Sequence, residues 1–199
     1  MPVGTRLINR LGFMLLHAYV LGMSAVLTGG FLVQFILGEF PCPLCILQRV
    51  FMMLATIGPI YIIARSRTGT VTTRDFATGY GLSIVASVCG AAVSIRHVLL
   101  HIKPPDPGYG SAVFGLHPYT WALITFTVSI LVAGASLALS YELEPIDSRA
   151  PALSAIVLWI FGAVILANVF VVFALEGFHW FLPSDPVRYE LLYDLGILK

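Results

Sequence analysis

Five long apolar segments decide what this chain can fold into: Leu11–Leu37, Ile46–Ala64, Phe76–Ile95, Tyr119–Tyr141 and Ala152–Ala174. Each is close to or beyond the ~20 residues of helix that cross a bilayer. In lipid no water is available to a backbone N–H or C=O, so each segment must be an α-helix bonded within itself. Composition points the same way. Of the 199 residues, 58% are hydrophobic and 11% charged, against about 25% charged in soluble domains. So little charge cannot cover a globular surface in water, whereas a lipid-facing surface needs none. The net charge of +1 gives no reason to expect nucleic acid as a partner. The expectation is an all-α membrane protein embedded in the lipid bilayer.

Arg6 and Arg10 precede the first segment, as in a signal peptide. Its apolar stretch, however, is roughly twice the ~7–15 residues of a signal core, and no small-x-small cleavage site follows. The segment reads as retained. Arg65, Arg67 and Arg74 follow the second segment, while only Arg49 stands between the first two, already on helix two. This bias puts the N-terminus in the cytoplasm by the positive-inside rule. Gly38–Cys45 and His97–Pro118 then face the exterior, and Thr68–Thr73 and Glu142–Pro151 are inside connectors. Arg96 and Lys103 outside, and Arg149 inside among Glu142, Glu144 and Asp147, leave the early charges to decide. With five spans the tail after Ala174 is exterior. Its Phe178, Trp180 and Phe181 suit an interface, and Tyr189–Leu195 reads as a short amphipathic helix. On helix three, Gly79, Gly81, Ala86, Gly90 and Ala91 allow close helix packing.

Cys42 and Cys45 lie in Glu39-Phe-Pro-Cys-Pro-Leu-Cys-Ile-Leu-Gln-Arg49, where an exterior loop meets helix two. Pro43 suits the first helical position, where its missing N–H is no loss. Cys42 then falls at the N-cap and Cys45 near the third helical position. Free N–H groups and the positive end of the helix dipole stabilise a thiolate there. Thiolate is the attacking species in disulfide exchange, and Cys-x-x-Cys pairs commonly hold one thiol at low pKa. Two other readings stand beside redox chemistry: half of a zinc site, completed only if His97, His101 or His117 supplies ligands, and two packing cysteines. Arg49, one turn beyond Cys45, costs several kcal/mol if left unpaired in lipid. It either snorkels to headgroups or faces inward, where it lowers the Cys45 pKa and holds an oxygen of a bound quinone.

Pro-Cys-Pro-Leu-Cys-x-x-Gln-Arg directly after a first membrane helix resembles the redox motif of the DsbB family of disulfide-bond formation proteins. The likeness covers roughly residues 10–141, the first four spans. It implies a four-helix transmembrane bundle, here with a fifth C-terminal transmembrane helix. The implied division is a redox bundle over 1–141 and an added helix and exterior tail over 142–199. It also implies electron transfer from a periplasmic thioredoxin-fold dithiol protein to ubiquinone or menaquinone, in the bacterial inner membrane. Under the resemblance Cys45 is the quinone-facing thiolate, Cys42 its disulfide partner, and Arg49 a quinone contact. His97, in Ser-Ile-Arg-His-Val-Leu-Leu-His, matches the family histidine beside the quinone. No metal is implied.

Two departures accompany this. Leu100–Leu116 lacks the second cysteine pair of the best-known members, and Cys89 cannot replace it, lying roughly 9 Å below the helix mouth at ~1.5 Å per residue. It reads as a buried packing residue. Either a partner thiol then attacks the Cys42–Cys45 disulfide directly, or the protein has diverged to another task. The fifth helix and tail are free to dock another membrane subunit. The alternative function is a non-catalytic or quinone-binding subunit of a larger respiratory complex. Haem is a poor fit, because His17 and His97 are separated by roughly 20 Å of helix depth.

Overall fold

The computed structural model describes residues 3–69, 71–140, 151–179 and 181–198. The Arg6 and Arg10 side chains, Trp180, Arg149, the connector over 142–150 and the boundary between residues 141 and 142 lie outside the described residues.

Among the described residues five long helices run in sequence: α1 (Val3–Ile36), α2 (Pro43–Thr68), α3 (Thr73–Leu100), α4 (Pro118–Ala138) and α5 (Pro151–Glu176). A short α6 (Glu190–Asp194) follows in the tail. All five are long and apolar enough to cross a membrane. The protein is an all-α, multi-pass membrane protein, with α1–α4 forming a bundle and α5 laid against α1. Because both the lipid face and the core are apolar, the inward face of each helix is marked by small and polar residues. On α3 the inward stripe is Phe76, Gly79, Tyr80, Ser83, Ser87, Gly90, Ser94 and His97, spaced three or four apart as one helical face requires.

Two glycines on that stripe set the packing. A Cβ at Gly79 would lie 2.6 Å from Ile62, and one at Gly58 of α2 would lie 1.9 Å from the Gly79 carbonyl oxygen. The α2 and α3 backbones therefore touch there, as small-residue contacts between membrane helices permit. Gly90 receives the Phe126 ring of α4, whose atoms would lie 2.2–2.7 Å from an added Cβ. Gly81 has nothing within 4 Å, so its smallness serves no contact. Across the bundle, Tyr19 bonds to Ser83 (2.8 Å) and Ser129, and Ser87 bonds to Ser129 (2.6 Å). These hydroxyls satisfy one another where no water is at hand. His17 fixes α5: its Nε2 pairs with Ser154 Oγ at 3.0 Å and its Nδ1 with the Phe13 carbonyl oxygen at 2.8 Å.

At one end of the bundle the α2–α3 turn is closed by a capping box. Thr72 and Asp75 bond reciprocally, while Tyr61 donates to Asp75 at 2.7 Å and Arg65 approaches it at 3.4 Å. The other end holds the cysteine motif, the connection over 101–117 and the tail. Cys89 is a correction: it is exposed, on the outer side of α3 and off the inward stripe. An apolar helix in lipid gives a mid-span cysteine no cue to which side it takes.

Candidate redox site

Cys42 is the N-cap of α2 and Pro43 its first residue. The Cys42 sulfur accepts the Cys45 backbone N–H at 3.2 Å, and the two sulfurs lie 2.9 Å apart in a hydrogen bond. The bond between the sulfurs is the largest influence on Cys42. Together with His97 and the Cys45 N–H, it outweighs burial and brings the Cys42 thiol down to about 5. In the reduced pair the negative charge therefore rests on Cys42, which is 5% exposed.

Behind Cys42 stands His97, 1% exposed, with Nε2 3.9 Å from the sulfur and Nδ1 buried without a hydrogen-bond partner. Tyr119 packs against His97 (ring centroids 4.5 Å apart), His101 (5.6 Å) and His117 (5.3 Å). All three histidines thus gather near the cysteine mouth. His101 pairs with Asp106 at 3.0 Å and His117 bonds to the Gly110 carbonyl oxygen at 2.9 Å. The 101–117 connection is laced to the loop before Cys42. Tyr109 donates to the Phe40 carbonyl oxygen at 2.8 Å, and Ser111 donates from its N–H (2.9 Å) and hydroxyl to Glu39. Burial, and then the nearby thiols, push the Tyr109 phenol up, so it stays a neutral donor.

On the other side of the pair is an apolar cavity of about 470 Å³. Its walls include Val26, Gly30 and Val33 of α1, Cys45, Gln48, Arg49 and Met52 of α2, Val113 and Phe114 of the connection, and Trp121 of α4. Cys45 reaches this cavity; Cys42 and His97 are not among its lining residues. Arg49 faces inward. It donates to Gln34 Oε1 (3.0 Å) and the Gly30 carbonyl oxygen (3.0 Å) and lies 5.4 Å over the Phe31 ring. Gly30 makes room for it, since a Cβ there would stand 3.3 Å from the guanidinium. Among the described residues no carboxylate pairs with Arg49. Its charge is thus held by neutral acceptors that use only part of its five donors. Gln48 is 4% exposed and its Nε2 has no partner. A buried amide donor without an acceptor costs about 1–3 kcal/mol. On a cavity wall it calls for a ligand oxygen.

The family model for Disulfide bond formation protein DsbB matches residues 12–136, which contain the cysteine pair, Arg49 and His97. The chain belongs to the DsbB family. It is similar to Disulfide bond formation protein B of Chromobacterium violaceum, 34% identical over 108 residues that make up 52% of this chain and 58% of that one. The protein of the same name from Chromohalobacter salexigens is 36% identical over 93 residues (47% and 49% of the two chains). That from Saccharophagus degradans is 37% identical over 86 residues (43% and 49%). The chain thus spans about half the length of the curated relatives it matches. No solved structure matches it. The DsbB match ends before α5, so the fifth helix and tail lie outside what the family model covers.

Within this DsbB member the structure brings Cys42, Cys45 and His97 together, with all three donor atoms within 4.8 Å of one another, and puts Arg49 one helical turn further on. His97 stands at Cys42 instead of on the cavity wall, because α3 presents it on the stripe that faces α2. Gln34, Tyr109, Tyr119 and Tyr189 stand around these groups although the motif does not contain them, and Gln48 belongs to the motif without its buried, unpartnered nitrogen being announced by it. For Gln34 and Gln48 a signal existed: an amide inside an apolar membrane helix needs a partner or a ligand.

Proposed function

We propose that the protein is a quinone-dependent protein-disulfide oxidoreductase of the bacterial inner membrane. It oxidises a periplasmic thioredoxin-fold dithiol partner and passes the electrons from Cys42–Cys45 to ubiquinone or menaquinone. The observation that carries the proposal is the cavity wall on which Cys45, the unpaired Gln48 amide nitrogen and an Arg49 without a carboxylate partner converge. The fit to a quinone rests on these groups: an apolar chamber with an electron donor and two hydrogen-bond donors for its oxygens. The charge bias puts this mouth outside and the N-terminus in the cytoplasm.

A partner thiolate attacks the Cys42–Cys45 disulfide, forming a mixed disulfide and freeing one cysteine, and the partner's second thiolate attacks the mixed disulfide and frees the other. The partner leaves oxidised and the pair is left as one thiol and one thiolate. Cys45 holds a proton and Cys42 the charge, with His97 beside it to receive or return a proton. A quinone in the cavity would supply an acceptor for the two electrons of the pair; the Cys45 proton and a second one by way of His97 or water would complete its reduction as the disulfide re-forms. Arg49 and Gln48 hold and orient the acceptor oxygens. His97 acts on Cys42. A zinc reading has three donors at hand, but tetrahedral ligands at ~2.3 Å hold two sulfurs about 3.7 Å apart, and here they touch at 2.9 Å.

Purified protein should oxidise a reduced thioredoxin-fold partner only when quinone is supplied; continued turnover by Cys42→Ser would sink the proposal. Arg49→Ala removes a charge-assisted contact worth about 1.5–3 kcal/mol, so the quinone KM should rise roughly ten- to hundredfold. An unchanged KM removes Arg49 from the site. The fifth helix favours one rival, a non-catalytic subunit of a larger respiratory complex. That rival requires full function after both cysteines become Ala.

A further inference from the structure

The tail folds back over the mouth. Gly177 turns the chain after α5, and the Phe178 N–H donates to Asp194 Oδ2 at 2.9 Å, which ties the end of α6 to the turn. Between these points Tyr189 reaches the cysteine end of α1. Its ring stacks on Phe35 at 6.5 Å and meets Phe40 edge-on at 5.1 Å. Its hydroxyl accepts from Nε2 of Gln34 at 3.1 Å, and the Oε1 of the same amide accepts from Arg49 at 3.0 Å. Gln34 is 3% exposed, so both ends of its amide need partners.

The chain Arg49–Gln34–Tyr189 has a direction. If the Gln34 amide turned over, its NH₂ would face the guanidinium, donor against donor. Tyr189 offers an acceptor at the far end and holds the amide with its oxygen toward Arg49. With Gln34 and Gly30 fixed as acceptors, the remaining guanidinium N–H groups stay free for the cavity. We infer that Tyr189, outside the family match, is a positioning residue for the acceptor site: through Gln34 it sets the direction of Arg49. This rests on the quinone reading above.

The test is binding of a short-chain quinone to the purified full-length protein, read by quenching of intrinsic fluorescence, since Trp121 lines the cavity. Tyr189→Phe keeps the stacked ring and removes the hydroxyl. The quinone Kd should rise roughly three- to tenfold, the worth of one net hydrogen bond, with kcat at saturating quinone nearly unchanged. Gln34→Leu should raise Kd by itself, and Tyr189→Phe should add nothing in that background, because the route from Tyr189 to Arg49 is already cut. An unchanged Kd in Tyr189→Phe, or effects that add in the double variant, overturns the positioning role while the quinone reading stands. No saturable quenching in the unaltered protein overturns the quinone reading itself.

Discussion

Cys42 and Cys45 differ by one helical turn and by which side of the site they serve. Cys42 is buried against His97 and is hydrogen-bonded to both the backbone N–H and the sulfur of Cys45, whereas Cys45 opens on the cavity. A group that stabilises the thiolate holds the thiol pKa down, so removing His97 must raise it. In the reduced protein the Cys42 thiolate should be fully present above neutral pH and lost only as pH falls through about 5. His97→Phe should move that loss upward, toward the ordinary thiol range. The pH dependence of ultraviolet thiolate absorbance checks this, and an identical titration curve in the variant would remove His97 from the pair's electrostatics. The cysteines and Arg49 were legible in the sequence, because a local motif at a helix start fixes their spacing. His97 was legible as a neighbour of the mouth, but not as a neighbour of Cys42, since that depends on how α3 is rotated against α2.

The helices themselves are readable from apolar length, and the packing of α3 from its small residues. Close packing makes Gly79 and Gly90 intolerant of any side chain, because an added Cβ meets Ile62 or the Phe126 ring. Gly90→Ala should cost about 1–3 kcal/mol, the usual penalty of overpacking, while Gly81→Ala should be neutral or slightly stabilising as glycine leaves a helix interior. Thermal unfolding in detergent distinguishes the two; equal effects would mean that the α3–α4 contact is looser than described. The rotation of each helix is harder to read. In water, polar residues mark the outside of a helix; in lipid that contrast is lost, and the inward face shows only as a sparse stripe of Gly and Ser. Cys89 was misread for this reason, since nothing in its apolar surroundings tells core from lipid. Tyr189 is illegible for another reason: its partner Gln34 is 155 positions away, and no local pattern links a tail tyrosine to an α1 glutamine.

Taken whole, the molecule has one redox pair between two coverings. One is the wall of the apolar cavity; the other is the 101–117 connection, which shares that wall and is held down by Glu39, Ser111 and Tyr109. Glu39→Ala removes the acceptor for Ser111 and should loosen this cover, so a small soluble thiol should reduce the Cys42–Cys45 disulfide several-fold faster. Stopped-flow reduction measures it, and an unaltered rate would show that the lacing does not limit access. The burial of Cys42 has a wider consequence. A sulfur sealed from solvent is insulated from the small reductants around it. Under the proposed function, current drawn by a lipid-phase acceptor would then come from a docked protein able to lift the cover, and the site would resist short-circuiting by any stray thiol that drifts past.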